Sequence, residues 1–228
     1  MTNPHVAFLS SDILHRRTDG FITRMQNGAS APEPQEIEAI MAIFIEEALQ
    51  AFMVRAASAA GLSPSLFKVV NMTCQTINKA TALVIGRSAR KMDLTQNQAA
   101  ATYMDSVRQP GGNGEGWYVA FPVSEGMAIK GSNLPALCAE GNFDEARREL
   151  EEYLHEITNE AIKWYFEKPM ELLGFGPVLR KLASVGVETT RKASRSLVRN
   201  LVPKLDNEQL TASSEYQASM LMAFEYRQ

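Results

Sequence analysis

Apolar residues recur at every third or fourth position along most of this chain, and that period restricts it to packed helices. From Gln35 to Ala60 they fall at Ile37, Met41, Phe44, Ala48 and Phe52. Gly61 then stands where a helix C-cap belongs, and Ser63-Pro64 offers an N-cap followed by proline at the first helical position. Leu66, Val70, Cys74, Ile77, Thr81 and Val84 continue the pattern towards Lys91. Asp93 with Gln96, Asn142 with Glu145, and Asp206 with Gln209 have the spacing of capping boxes. They open helices from Leu94 to about Arg108, from Asn142 to about Lys168, and from Asp206 to Phe224. A further helix is predicted from Pro177 to about Leu201.

Two segments break the period. Pro110-Gly111-Gly112-Asn113-Gly114-Glu115-Gly116 reads as a flexible loop. Trp117 to Phe121 is aromatic and β-branched, and pairing it with Met127 to Lys130 across Ser124-Glu125-Gly126 gives a short hairpin. The expectation is an all-α multi-helix bundle of about six helices, with one short β-hairpin near 117–130. Residues 1–109 form an N-terminal helical part, 110–132 the loop and hairpin, and 133–228 a C-terminal helical part, together in one compact domain. With 228 residues, 45% of them hydrophobic, the chain buries its core without a disulfide or metal staple.

Leu137-Cys138-Ala139-Glu140-Gly141-Asn142-Phe143-Asp144-Glu145-Ala146 is similar to the turn and second helix of a tetratricopeptide repeat. The resemblance covers one partial unit and occurs once, whereas such arrays need about three copies to be stable. A capped helix–turn–helix is the expected structure there.

Several chemical motifs come up short. Glu152-Tyr153-Leu154-His155 matches the Glu-x-x-His element of di-iron bundles, but those sites need two copies and two further glutamates. The glycine run at 112–116 lacks the strand before and helix after that a phosphate loop requires. His5, His15 and His155 sit beside no cysteine or serine elbow, and Cys74 lies on an apolar stripe. Glu47, beside Ile43, Ala51 and Val54, is a lone carboxylate. Neither a catalytic residue, a metal site nor a cofactor is expected. Cys74 and Cys138 are isolated and the N-terminus has no apolar signal core, so a cytoplasmic location is expected. The longest apolar stretch, Ala39 to Val54, contains Glu46, Glu47 and Gln50 and reads as a core helix.

Charge is distributed unevenly. Residues 140–171 hold ten acids and four bases, and residues 180–204 hold seven bases and one acid. On a helical wheel with Val178 at zero, Arg180, Lys181, Arg191, Lys192, Arg195 and Arg199 fall within about 200° to 320°. Val178, Leu179, Leu182, Ala183, Val185, Leu197 and Leu201 fall on the other side. The six cations are the candidate site for an anionic partner. They either pair with the acidic stripe Glu145, Glu149, Glu152, Glu156, Glu160 and Glu167, or meet an external anion. The function expected is non-enzymatic: a soluble helical interaction or regulatory protein that binds a protein partner or itself. The alternatives are a peripheral membrane or lipid-binding protein using residues 177–201, and a nucleic-acid-binding protein using the same helix.

Overall fold

A computed structural model describes residues 2–112, 116–174 and 176–225. Among them are eight helices and a small antiparallel sheet. Strand β1 (Thr2–Leu9) leads into helix α1 (Asp12–Gln26), capped by Ser11, whose side chain accepts from the Leu14 N–H at 3.1 Å. Helix α2 (Pro34–Leu49) runs through a π-helical turn (Gln50–Val54) into Arg55–Ala59. Helix α3 (Pro64–Ala89) and helix α4 (Leu94–Ser106) come next, the latter with the full capping box of Asp93 and Gln96. After β2 (Arg108–Pro110) and β3 (Trp117–Pro122) come α5 (Glu125–Ala139) and α6 (Phe143–Ile162). Helix α6 carries on through a second π-helical turn (Lys163–Glu167) to Leu172. Helix α7 (Pro177–Leu201), α8 (Asn207–Ser219) and β4 (Leu221–Glu225) complete the order.

The helical class agrees with the sequence; the strands differ in their partners. Residues 117–122 are a strand, but Met127 to Lys130 is not its mate. Ser124 caps α5 instead, accepting from the Met127 N–H at 3.2 Å, and this commits the segment to helix. Strand β3 pairs with β1 and β2, and β1 pairs on its other edge with β4, giving the order β2-β3-β1-β4. The last helix ends at Ser219, not at Phe224, because the chain turns at Met220 to lay β4 along β1.

Val6, Phe8, Val119 and Phe121 point from the sheet into the helices. They join one core that also takes in Phe21, Phe44, Leu134, Leu150, Tyr153 and Leu210. The opposite sheet face carries a small cluster of Ala7, Ala120 and Phe224 beside Tyr118 and Met222. Two helix contacts are too tight for a side chain. A Cβ on Gly131 of α5 would lie 2.6 Å from the Tyr153 ring of α6, and one on Gly186 of α7 would lie 2.8 Å from Val84 of α3.

Helix α7 packs chiefly on α3 and secondly on α6. Its buried side is made of Ala183, Gly186, Val187, Thr190, Ser194, Leu197 and Val198. That side is centred near 140° on the wheel, so Val178 and Val185, which lie on the apolar side of the wheel but at its edge, are 76% and 60% exposed. In α6 the π-turn shifts the inward face by one residue: Ile162 and Tyr165 are buried, and Trp164, which a regular helical period from Phe143, Ala146, Leu150 and Leu154 would place in the core, is half-buried beneath Lys168.

Candidate functional site: an apolar cavity beside a basic helix

A cavity of about 160 Å³ lies between the sheet and the helices. Its walls are almost wholly hydrocarbon. Ile37, Ile40 and Phe44 come from α2, and Val84, Ile85 and Ala89 from α3. Ala100, Tyr103 and Met104 come from α4, and Tyr165, Phe166 and Leu172 from the end of α6. Ala183 and Val187 of α7 close it. The helix that ends at Leu172 leaves that side chain 52% exposed, so the wall meets solvent there.

Polar atoms are few and specific. The hydroxyls of Tyr165 and Ser88 are buried and have no hydrogen-bond partner, and both residues line the cavity. Buried hydroxyls are normally satisfied, since leaving one unpaired costs about 1–3 kcal/mol. Burial holds the Tyr165 hydroxyl well above the ordinary tyrosine pKa, so it is a neutral donor. The adjacent Tyr103 hydroxyl donates to the Trp164 carbonyl and is not free.

At the cavity's other margin, Arg108 reaches Asp105 at 3.0 Å and Asp19 at 3.3 Å, and its guanidinium lies 4.9 Å over the Trp117 ring. His15 stacks on the same ring at 4.9 Å. Burial first and Arg108 second lower the His15 pKa below the usual value; Asp19 and Asp12 pull the other way. Sequence reasoning missed this cluster because its members come from α1, α4, β2 and β3.

The six candidate cations are not alike. Arg191 pairs with Glu167 of α6 at 2.8 Å and with Glu188 at 3.1 Å, and Lys192 approaches Glu188 at 3.7 Å. Arg180, Lys181, Arg195 and Arg199 are exposed, and among the described residues no ion pair holds them. Apart from Glu167, the acidic stripe is engaged elsewhere. Glu152 and Glu156 bind Lys130 of α5 at 3.3 and 2.6 Å, Glu145 and Glu149 lie near Arg148, and Glu160 pairs with Lys163.

The remaining candidates have structural duties. Glu47 accepts from the Ser11 N–H at 3.0 Å and from its hydroxyl at 2.5 Å, tying α2 to the start of α1. Cys74 faces the Met53 sulfur at 3.7 Å, and burial pushes its thiol up to about 11, which disfavours the thiolate. Glu152 turns to Lys130, while His155 stays half-buried near Glu151 at 3.8 Å. Among the described residues, no group of three metal-ligating side chains converges, and no helix is long and apolar enough to cross a membrane. Residues 113–115 of the glycine run lie outside the described residues. No protein-family model matches the chain, and searches of curated proteins and of solved structures likewise find no match.

Proposed function

We propose that this protein acts by binding, and that its ligand is a compact apolar molecule with one hydrogen-bonding group, held in the cavity between α2, α3, α4 and the end of α6. The observation that carries this reading is the cavity itself. Its walls are almost wholly apolar, and an apolar guest seated against them would withdraw that surface from water at about 25 cal/mol per Å² covered. An apolar cavity of about 150 Å³ holds a benzene-sized guest, so the fitting ligand is an aromatic ring or a short acyl chain. Its polar atom meets the Tyr165 and Ser88 hydroxyls, which otherwise lack partners. A cytoplasmic setting fits the two unpaired thiols.

The test is a thermal-shift and NMR screen with p-cresol, indole, hexanol and hexanoic acid. At least one should raise the melting temperature in proportion to the logarithm of its concentration. Ala89→Leu combined with Ala100→Leu fills the space and should abolish that response while leaving the free protein as stable or more so. The reading fails if none of the four stabilises the wild type and the filled variant is destabilised by more than about 3 kcal/mol, the usual upper cost of overpacking.

A further inference from the structure

We infer that the outer face of α7, the helix whose buried side closes the cavity, is a docking surface for an anionic lipid bilayer. The inference rests on the ligand-binding reading for its purpose, because an apolar ligand is supplied from a membrane more readily than from water. It does not rest on that reading for its measurement.

The exposed arc of α7 holds Lys181, Lys192, Arg195 and Arg199 between about 260° and 320° on the wheel. Val185 and Val178 adjoin them at about 340° and zero. Both valines stand in water, 60% and 76% exposed, on a helix whose opposite side is buried against α3. Leu172, 52% exposed, precedes them and is part of the cavity wall. Two exposed valines in the first half of the helix, beside a row of cations that runs along about 30 Å of it, meet the two layers of a bilayer surface: acyl chains and phosphates.

Charge selects the sign of the partner. Glu188 is the one acid on α7, and Arg191 and Lys192 already neutralise it. Arg180, Lys181, Arg195 and Arg199 have no carboxylate of their own to leave. A second copy of this face is excluded by repulsion between like charges. Duplex DNA would satisfy the cations but leave Val178, Val185 and Leu172 in water. The bilayer is the partner that uses both sets of side chains.

The experiment is co-sedimentation of the full chain with vesicles of phosphatidylcholine alone, and of phosphatidylcholine with about one quarter phosphatidylglycerol. Wild type should pellet with the second only, and should be released as salt rises from about 0.1 M to several times that. The triple variant Lys181→Glu, Arg195→Glu, Arg199→Glu should bind about a hundredfold more weakly. The double variant Val178→Ser, Val185→Ser keeps every charge and should lose about tenfold. All five side chains lie on the exposed arc, and circular dichroism checks that helicity is kept. Should the reversal not fold, the salt titration and the serine variant decide the matter on their own.

Three outcomes overturn the inference: no pelleting, equal pelleting with both vesicles, or duplex-DNA binding that charge reversal abolishes and the serine changes leave intact. Ligand uptake is scored separately. The triple variant should still take up the small apolar probe, and the cavity-filled variant should still pellet. Loss of one activity without the other therefore names which reading failed.

Discussion

At Gly131 the absence of a side chain is a packing requirement. The Tyr153 ring lies where a Cβ would be, 2.6 Å away, and that ring is fully buried. Alanine in a helix interior usually gains about 0.5–1 kcal/mol over glycine. Here overpacking reverses the sign, and Gly131→Ala should cost about 1–3 kcal/mol. Gly86→Ala is the internal control. Its new methyl would meet only the end of the Glu38 side chain, at 3.0 Å, which can swing away into solvent. Equal urea midpoints for the two variants would refute the packing account. Tyr165→Phe removes a buried hydroxyl that has no partner, so the free protein should be unchanged or slightly more stable, while affinity for a cavity ligand falls. His15 sets a pH dependence. Its pKa is depressed on folding, so the unfolded chain takes up the proton first. Stability is therefore fullest above the unfolded value near 6.5 and declines as pH falls towards the lower folded value. Urea midpoints measured from about pH 8 to pH 5 should fall, and less steeply in His15→Gln.

Element by element, the helices were legible wherever an apolar stripe and a cap coincided. Asp93 with Gln96 and Asp206 with Gln209 form both bonds of their capping boxes, whereas Asn142, expected to form a third with Glu145, caps nothing with its side chain and donates to Glu140 instead. The π-turns could not be read, because a wide turn leaves the composition unchanged and only rotates the residues beyond it. In α6 that rotation puts Tyr165 rather than Trp164 in the core, where it meets Phe44 and Phe121 edge-on. Tyr165→Ala should therefore cost about 3–5 kcal/mol and Trp164→Ala distinctly less, as read by chemical denaturation. The reverse order would show the α6 register to be wrong. Helix α7 misled for a different reason. Its buried side carries Ala183, Gly186, Thr190 and Ser194, which hydropathy scores as neutral, because close approach to α3 selects small residues there. The basic arc was legible as charge. That Val178 and Val185 stand beside it in water was not. The cavity left no sequence trace, since its lining is ordinary apolar residues drawn from many elements.

At the scale of the whole molecule, the sheet ties together segments from opposite ends of the sequence, with Thr2 opposite Glu225 and Val6 opposite Leu221. This is why neither β1 nor β4 was legible. Val6-Ala7-Phe8 is apolar on both faces and shows no alternation, and β4 comes after α8 with only Met220 between them. Strand β1 is central because β3 and β4 occupy its two edges. Ending the chain after Met220 would keep the bond from the Ala7 N–H to the Met220 carbonyl, but would strip β4 from β1. Two consequences are expected. Removing Phe224 uncovers Ala7 and Ala120, and removing Leu221 thins the core beneath the sheet. Together these should cost about 3 kcal/mol or more at 1.5–3 kcal/mol per buried large side chain. The bared edge of β1, apolar over Val6 to Phe8, also becomes a template for pairing with another chain. The truncated protein should show a lower urea midpoint and, in light scattering, association that grows with concentration. A truncation that leaves the midpoint unchanged and the protein at its wild-type size would mean that β4 does not hold the sheet together.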